Sequence, residues 1–291
     1  MRNRMLAKAQ QRALSAKKNL SKQYFDYREK RYDFHKLNVC YTFPMFQPYS
    51  SGTYEQRAKL TINCINQTIP SLGSLATSID CRPPTVVKIE DFAKTKEQLR
   101  SASELKRYFD THGSDKATLH QYHYVYGPIL MDRIKISGVL EIGMGTNNTD
   151  VVSNMGTGGR PGASLRAFRD YLEKAKIYGA DIDQRILFAE DRIETFFVDQ
   201  TDPESFVALG KQVPSDLDLI IDDGLHSPSA NIETLKFALS RIKPGGWVVI
   251  EDIGTPTLPV WHVVSALLPH HFEAHIITAN LGNLFAVRRL G

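Results

Sequence analysis

The sequence has little that could anchor it in a membrane or cross-link it covalently. None of its apolar runs reaches the roughly 18 to 20 residues that a helix needs to span a bilayer. Only three of its 291 residues are cysteines, and Cys40, Cys64 and Cys81 form no C-x-x-C pair. Few, isolated cysteines are typical of a reducing compartment. We therefore expect a cytoplasmic protein without a membrane span.

Net charge is also small, but the charges are unevenly distributed. The chain has 36 Lys and Arg residues and 32 Asp and Glu residues, which gives a formal net charge of +4. Residues 1–35 carry ten basic and three acidic side chains, and subtracting this +7 from the total leaves −3 for residues 36–291. With 42% hydrophobic residues, the composition indicates a globular body preceded by a basic arm.

The basic arm permits three interpretations. It has no acid before Asp26, as in transit peptides, although no cleavage signal is evident. Aromatic side chains interleaved with cations between Tyr24 and Phe34 could bind nucleic acid or an anionic lipid surface. The favoured interpretation is a solvated helix that packs or docks on a neighbouring subunit. The acidic body and the absence of an N-P-P-Y-like motif disfavour a nucleic-acid partner.

The segment after the arm lacks a regular pattern. Prolines interrupt residues 36–90, and only one helix is predicted there, from about Tyr54 to Ile69. We interpret residues 1–100 as the basic arm followed by a small, mainly helical or irregular auxiliary segment.

Residues 101–291 show a regular alternation of helices and strands. Two helices, ending near Gly113 and Ile136, precede apolar strands that alternate with helices of about 10 to 15 residues. This alternation predicts an α/β domain with a Rossmann-like, seven-stranded, mostly parallel sheet. The last two strands are joined by a tight Leu-Gly-Asn turn, so the C-terminal strand is expected to be antiparallel.

The first strand of this domain ends in an acid followed by a Gly-x-Gly turn, in the sequence LEIGMGTNN. Gly143 and Gly145 let the backbone turn sharply and approach a ligand at the carboxyl end of the strand. The dinucleotide fingerprint needs a third glycine where Asn148 lies, which argues against NAD. Polar residues at the next two strand ends are placed to contact an adenosine ligand: Asp181, with Asp183 as its neighbour, for the ribose, and Asp199 and Gln200 for the adenine. The alternative is that these residues are only helix caps or turn formers.

Two later strands, in the sequences IIDDGLH and VVIED, also end in acids. If these strands are parallel neighbours, Asp223, Glu251 and Asp252 converge at one edge, with His226 close by. Three carboxylates without a Lys or Arg nearby in sequence would repel one another, and Mg²⁺ or Mn²⁺ would relieve that repulsion. The alternative interpretation is a set of turn formers and solvated strand ends. We expect His120, on a Tyr-rich helix, to pack on the sheet.

These motifs resemble the class I S-adenosylmethionine-dependent methyltransferases, and most closely the metal-dependent sugar O-methyltransferases of macrolide biosynthesis (mycinamicin and tylosin type). The resemblance covers about residues 103–291. It implies S-adenosylmethionine and Mg²⁺ (or Mn²⁺) as cofactors, an antiparallel seventh strand and a homo-oligomer. The segment GSDK, Gly113 to Lys116, resembles one that lies close to the cofactor in those enzymes.

The resemblance also implies roles for individual residues. His226 would be the general base beside Asp223, and the cation ligands would be Asp223, Glu251 and Asp252. Together with the strand-end residues, the candidate cofactor contacts are Glu141, Gly143, Gly145, Ser114, Lys116, Asp181, Asp183, Asp199, Gln200 and Asp222. One departure from the family is an insertion, TNNTDVVSNMGTGGRP, between Gly145 and Gly162, which could cover the cofactor or shape the acceptor site.

The functional hypothesis is metal-assisted transfer of a methyl group to a hydroxyl of a sugar or glycosylated small molecule, such as a natural product or surface glycan. An alcohol attacks a sulfonium methyl poorly at neutral pH, so a cation and a base would both lower the barrier. Because chelation selects adjacent oxygens rather than a sugar as such, a catechol or another vicinal diol is the alternative acceptor. A nucleic-acid-binding methyltransferase that uses the basic arm is a further alternative.

Overall fold

A computed structural model describes residues 54–78 and 83–291. The chain divides into two units, Met1–Ser71 and Leu72–Gly291. The basic arm lies outside the described residues, and the predicted domain boundary, which falls within the second unit, stays a prediction. None of the helices in the described ranges is long and apolar enough to cross a bilayer.

The helices before the sheet differ in length from those predicted. Helix α1 (Tyr54–Ser78) continues through Pro70, beyond its predicted end at Ile69. A short strand, β1 (Thr85–Lys88), and the single-turn helix α2 (Ile89–Phe92) follow. Helix α3 (Lys96–His112) begins with a capping box formed by Thr95 and Gln98, and it ends, as predicted, at Gly113, whose φ is 74°.

Two short helices replace the second predicted helix. Helix α4 (Asp115–Thr118) is capped by the Ser114 hydroxyl, and helix α5 is His123–Ile129. Between them Gln121 has a φ of 59°, a left-handed conformation that a continuous right-handed helix cannot contain. The prediction of one helix reaching Ile136 is therefore wrong.

The second unit contains one nine-stranded sheet in the order β1-β8-β9-β7-β6-β2-β3-β5-β4. Strand β9 is antiparallel to β7 and β8, β4 is antiparallel to β5, and all other neighbours are parallel. After β1, the strands are β2 (Gly138–Ile142), β3 (Lys176–Asp181), β4 (Ala189–Glu190), β5 (Ile193–Phe197), β6 (Leu217–Asp222), β7 (Ile242–Ile253), β8 (Phe272–Ala279) and β9 (Gly282–Arg289).

The predicted mostly parallel sheet with an antiparallel C-terminal strand is confirmed, but the count of seven strands is wrong. The two additional strands, β1 and β4, lie at the two edges of the sheet. They contain four and two residues, which is too short for the apolar alternation on which strand prediction depends.

Helices cover both faces of the sheet. Consecutive residues of the central strands belong to different apolar clusters: Val139 lies in the cluster that contains Phe109 and Phe168, whereas Leu140 lies in the one that contains Phe206, on the other face. Burial on both faces explains the nearly continuous apolar runs in these strands. The remaining helices are α6 (Ala163–Tyr171), α7 (Pro203–Leu209), α8 (Pro228–Leu239) and α9 (Leu258–Leu267), with 3₁₀ turns at Gln184–Ile186 and Thr255–Thr257.

Candidate functional site

The carboxyl ends of β2, β6 and β7 meet at one edge of the sheet. Asp222 lies in register with Ile142 of β2 and with Ile250 of β7. Residues that follow these positions therefore leave their strands at the same level. The loop after β6 brings Asp223 close to Glu251, and one ammonium group contacts both carboxylates.

That ammonium group belongs to Lys116 of α4, whose side chain is only 2% exposed. Its Nζ lies 2.6 Å from Asp223 Oδ2, 2.5 Å from Glu251 Oε2 and 3.2 Å from Glu141 Oε1. Burial works to lower the pKa of Lys116, but the charges of Asp223, Glu251 and Glu141 outweigh burial and raise it well above its usual value. Lys116 is therefore charged, and it neutralises part of an acidic cluster that sequence analysis treated as having no basic neighbour.

Two tyrosines donate hydrogen bonds to the acids at the end of β7. The Tyr126 hydroxyl donates to Glu251 Oε1, and the Tyr122 hydroxyl donates to Asp252 Oδ1. Burial and the charge of Glu251 raise the pKa of both tyrosines, so both remain protonated donors. Burial also raises the pKa of Glu251, although Lys116 opposes that shift.

The two tyrosines were not among the site residues predicted from the sequence. Their spacing of four residues at the start of α5 places both on one side of the chain. That spacing, in a segment rich in tyrosine, was the available signal.

Asp223, His226 and Asp252 form a second group on the outer side of the lysine. One ligand atom from each lies within 4.8 Å of the other two, and His226 Nε2 is 3.8 Å from Asp252 Oδ2. His226 and Asp252 both have a φ of 54°, a left-handed conformation that is uncommon for non-glycine residues, although Asp and His adopt it more often than most. Two carboxylates and an imidazole suit a divalent cation. With Glu141 and Glu251, the cluster contains four carboxyl groups and one lysine, an excess of acids that favours binding of a cation.

The predicted cation ligand Glu251 lies deeper than this outer group. Its side chain is 1% exposed, and its two oxygens accept from Lys116 and Tyr126. Its role as a ligand stays a prediction. His120, which was expected only to pack on the sheet, instead places Nδ1 3.4 Å from Asp252 Oδ1.

A cavity of about 540 Å³ opens beside the Gly-x-Gly turn. Gly143 and Gly145 have φ values of 85° and 75°. A Cβ atom on Gly143 would lie 2.2 Å from the backbone oxygen of Asp223, so only glycine fits there. The predicted cofactor contacts that line this cavity are Gly143, Gly145, Asp181, Asp183, Asp199 and Gln200.

The two acids after β3 have different environments. Asp181 accepts the backbone N–H groups of Met144 and Asp183, both at 2.9 Å, and burial raises its pKa. Asp183 accepts from Arg185 at 2.6 Å, and this contact lowers its pKa strongly. Asp183 also accepts from Thr146. It therefore holds the residues that follow the Gly-x-Gly turn against the cavity wall.

Two further candidates, Ser114 and Lys116, line a smaller neighbouring cavity of about 220 Å³, which shares Gly145 and Asp223 with the larger one. Both cavities therefore reach the acidic cluster. Glu141 lies buried beside them, where it accepts the Ser164 hydroxyl at 2.6 Å and burial raises its pKa.

Asp222, the last candidate cofactor contact, is fully buried. Its carboxylate accepts from Gln200 Nε2 at 2.9 Å and from Asn231 Nδ2 at 3.1 Å. Gln200 Oε1 in turn accepts the backbone N–H of Leu225 at 2.8 Å. Asp222 thus orients Gln200, which lines the cavity, and the loop that carries Asp223.

Comparison with known proteins identifies relatives of this chain. No protein-family model matches it. It is 31% identical over 151 residues to the 8-demethyl-8-alpha-L-rhamnosyl tetracenomycin-C 2'-O-methyltransferase of Streptomyces olivaceus. This alignment covers 52% of this chain and 38% of the relative. The chain is 36% identical over 99 residues to the demethylmacrocin O-methyltransferase of Streptomyces fradiae. That alignment covers 34% of this chain and 25% of the relative. The predicted resemblance to sugar O-methyltransferases is confirmed.

A solved methyltransferase structure shares the fold. MycE methyltransferase from the mycinamycin biosynthetic pathway, in complex with Mg, S-adenosylhomocysteine (SAH) and mycinamycin VI, aligns with a TM-score of 0.50 and 22% identity. The alignment covers 64% of this chain and 53% of MycE. The chain thus spans less than two thirds of each of these proteins, and the likeness to MycE shows the methyltransferase fold.

In this fold, residues 146–161 lie between β2 and α6 and contain no helix or strand. Thr146 and Asp150 line the larger cavity, whereas Met155 and Arg160 line the smaller one. The insertion therefore forms part of the wall of both cavities, and its role in covering the cofactor or shaping the acceptor site stays a prediction.

Proposed function

We propose that this protein is an O-methyltransferase that moves a methyl group from S-adenosylmethionine to a hydroxyl of a sugar or glycosylated small molecule, assisted by a divalent cation. The supporting observation is the position of Asp223, which lines a cavity built on Gly143 and Gly145 and also belongs to a group with His226 and Asp252. The relatives named above are O-methyltransferases of a rhamnosyl tetracenomycin and of demethylmacrocin.

The larger cavity would hold the adenosine part of the methyl donor. Asp181 would accept the ribose hydroxyls, with Asp183 as its neighbour, and Asp199 and Gln200 would border the adenine. The smaller cavity, next to the buried carboxylate of Glu141, would hold the amino-acid part. Since the two cavities share Gly145 and Asp223, a donor that occupied both would present its methyl group beside the acidic cluster.

The cation would be held by Asp223 and Asp252, with Glu251 behind them. Their oxygen donors suit Mg²⁺ or Mn²⁺. When bound, such a cation stabilises the negative charge that develops on the acceptor oxygen. Tyr122 keeps Asp252 oriented by donating to Oδ1, which leaves Oδ2 facing His226.

His226 would remove the acceptor proton. Its Nε2 is 3.8 Å from Asp252 Oδ2, so the carboxylate would stabilise the imidazolium that forms. His226 also belongs to the group that could ligate a cation. The two roles differ in one measurable respect, because a ligand contributes to cation affinity and a base does not.

The first prediction concerns His226→Ala. If His226 is the base, the variant loses turnover by about a hundredfold or more but binds SAH and Mn²⁺ as tightly as the wild type does, by calorimetry. His271→Ala, at an exposed position, is the control and keeps full activity. Weakened Mn²⁺ binding by the His226 variant would instead assign the imidazole as a ligand.

The same assay tests the cation and the acceptor. EDTA should abolish methyl transfer and added Mg²⁺ should restore it, whereas full activity in EDTA would remove the cation from the proposal. To distinguish a sugar acceptor from the alternative diol, methylation of glycosides and of catechols is measured with radiolabelled S-adenosylmethionine. Methylation of the catechols alone would overturn the sugar assignment.

A further inference from the structure

The acidic cluster has an inner and an outer half. The inner half contains Glu141 and Glu251, whose side chains are 0% and 1% exposed. The outer half contains Asp223, His226 and Asp252, whose side chains are 26%, 31% and 25% exposed. This difference in exposure means that the inner acids need a partner within the protein, whereas water can reach the outer ones.

Lys116 is that partner, and its ammonium group lies between the two halves. Its ammonium group contacts both inner acids and, on the outer side, Asp223 at 2.6 Å. Two of the three predicted cation ligands, Asp223 and Glu251, thus each use an oxygen to bind Lys116. A divalent cation at the same carboxylates would compete for those oxygens and would lie close to a positive charge.

We propose that Lys116 is a positioning residue that acts as a built-in cation. It occupies the inner half of the cluster, confines a divalent cation to the outer carboxylates of Asp223 and Asp252, and keeps the affinity for that cation low. This inference rests on the cation site of the proposed function. It predicts a change in cation binding that can be measured without methyl transfer.

The test is Mn²⁺ binding to the full chain in the absence of methyl donor, followed by calorimetry and by the electron paramagnetic resonance signal of free Mn²⁺. Lys116→Met keeps a long unbranched side chain but removes the charge, so Glu251 and Asp223 become available to the metal. We expect Mn²⁺ to bind about tenfold more tightly, or better. Lys106→Met, on the exposed surface of α3 where Lys106 pairs with Asp110, should leave the affinity unchanged.

A double variant isolates the contact that matters. If the gain comes from releasing Glu251, Lys116→Met combined with Glu251→Gln should lose it, whereas additive effects would mean that the two residues act independently. Thermal unfolding provides a second measurement, because the shift in melting temperature on adding Mn²⁺ is taken relative to the metal-free value of the same variant. Added Mn²⁺ should raise the melting temperature of Lys116→Met by more than that of the wild type.

Unchanged or weaker Mn²⁺ binding by Lys116→Met would overturn the inference, because it would mean that Lys116 holds the acids in position for the cation. The outcomes also separate this inference from the proposed function. Tight binding by the variant and none by the wild type would support the role of Lys116 and overturn cation assistance in the native protein. If the wild type requires Mg²⁺ for methyl transfer but Lys116→Met gains no affinity for Mn²⁺, cation assistance is supported and the role of Lys116 is overturned.

Discussion

Gly143 joins the floor of the larger cavity to the acidic cluster through backbone contact alone. A Cβ atom there would lie 2.2 Å from the oxygen and 2.5 Å from the carbonyl carbon of Asp223, and its φ of 85° is unfavourable for any side chain. Main-chain atoms cannot rotate away as a side chain could. The position therefore fixes the distance between the first strand end and the loop that carries Asp223.

At the residue scale, we predict that Gly143→Ala destabilises the protein and displaces Asp223. The left-handed backbone adds about 1 to 2 kcal/mol of strain, and the contact with Asp223 adds to it. Urea unfolding and SAH calorimetry should show lower stability and at least roughly tenfold weaker SAH binding.

Gly245→Ala is the matched control for this prediction. Gly245 has a similar φ of 83°, but nothing lies within 4 Å of the position its Cβ would take. The Gly245→Ala variant should lose only the stability that corresponds to backbone strain, and it should bind SAH normally. Equal effects of the two substitutions would mean that the contact between Gly143 and Asp223 is unimportant.

Individual residues differ in how far the sequence revealed their position. Asp223 and Asp252 were located because each lies at the end of a buried strand, and parallel neighbours bring such ends together. Lys116 was assigned to the cofactor, yet it also contacts Asp223 and Glu251, which lie 107 and 135 positions along the chain. No local periodicity encodes a contact of that separation, so the neutralised inner half of the cluster could not be predicted.

Among the elements, the loop of residues 146–161 combines an irregular backbone with polar ties to the rest of the domain. Arg185, in the 3₁₀ turn after β3, reaches Asp150 of the loop at 3.0 Å while also binding Asp183. Asn148 donates to the same Asp183 carboxylate at 2.7 Å. Because these contacts border the larger cavity, they connect the loop to the proposed adenosine site.

We predict that Arg185→Gln loosens this loop without unfolding the protein. The pair of Arg185 with Asp150 is exposed (52% and 70%) and contributes only about 0 to 1 kcal/mol. The buried carboxylate of Asp183 keeps its hydrogen bonds from Thr146 and Asn148, so the protein should stay folded. Hydrogen exchange of residues 146–161 should accelerate, and SAH should dissociate several-fold faster.

Arg133→Gln serves as the control for the loop. Arg133 forms a comparable half-exposed pair with Glu104 at 3.0 Å, and neither residue lines either cavity near the Gly-x-Gly turn. This variant should leave exchange of the loop unchanged. Identical SAH dissociation rates for Arg185→Gln and the wild type would show that the ion pairs do not restrain it.

Elements were predictable where their signals are local. Gly113 ends α3, and Ser227 with Pro228 begins α8, as their residue types indicate. The break between α4 and α5 was missed because Gln121 carries no marked preference for the left-handed conformation that it adopts. That conformation places Tyr122 and Tyr126 over the acids, so tertiary contacts override local propensity there.

For the whole molecule, acid stability depends on a histidine buried away from the acidic cluster. His123 is 5% exposed, and burial, assisted by Lys106 and opposed by Asp110, lowers its pKa to about 4. In the unfolded chain the pKa returns to its usual 6.5. Between these two values the unfolded chain binds a proton that the folded chain does not, so stability falls as the pH falls through this window.

We predict that His123→Phe reduces this acid sensitivity. The free energy of unfolding, measured with urea at about pH 7 and about pH 5, should differ less for the variant than for the wild type. His271→Phe, at an exposed position, should preserve the wild-type difference. If the wild-type protein were equally stable at both pH values, the link between the lowered pKa of His123 and acid sensitivity would be contradicted.

The architecture of the whole domain followed from the sequence because each central strand is apolar on both faces and each connection is helical. The parallel order from β7 to β5 and the antiparallel β9 are consequences of that pattern. The edge strands β1 and β4 were missed because pairing with a longer neighbour, rather than their own sequence, makes them strands. Assembly into an oligomer stays a prediction.

Those two edge strands also bear on the solubility of the protein. Among the described residues, the sheet ends in strands of four and two residues, whereas β8 and β5 inside them have eight and five. A short outer strand offers few unpaired backbone groups on which another chain could extend the sheet. The long apolar strands that build the site are thereby kept away from the positions where β-aggregation begins.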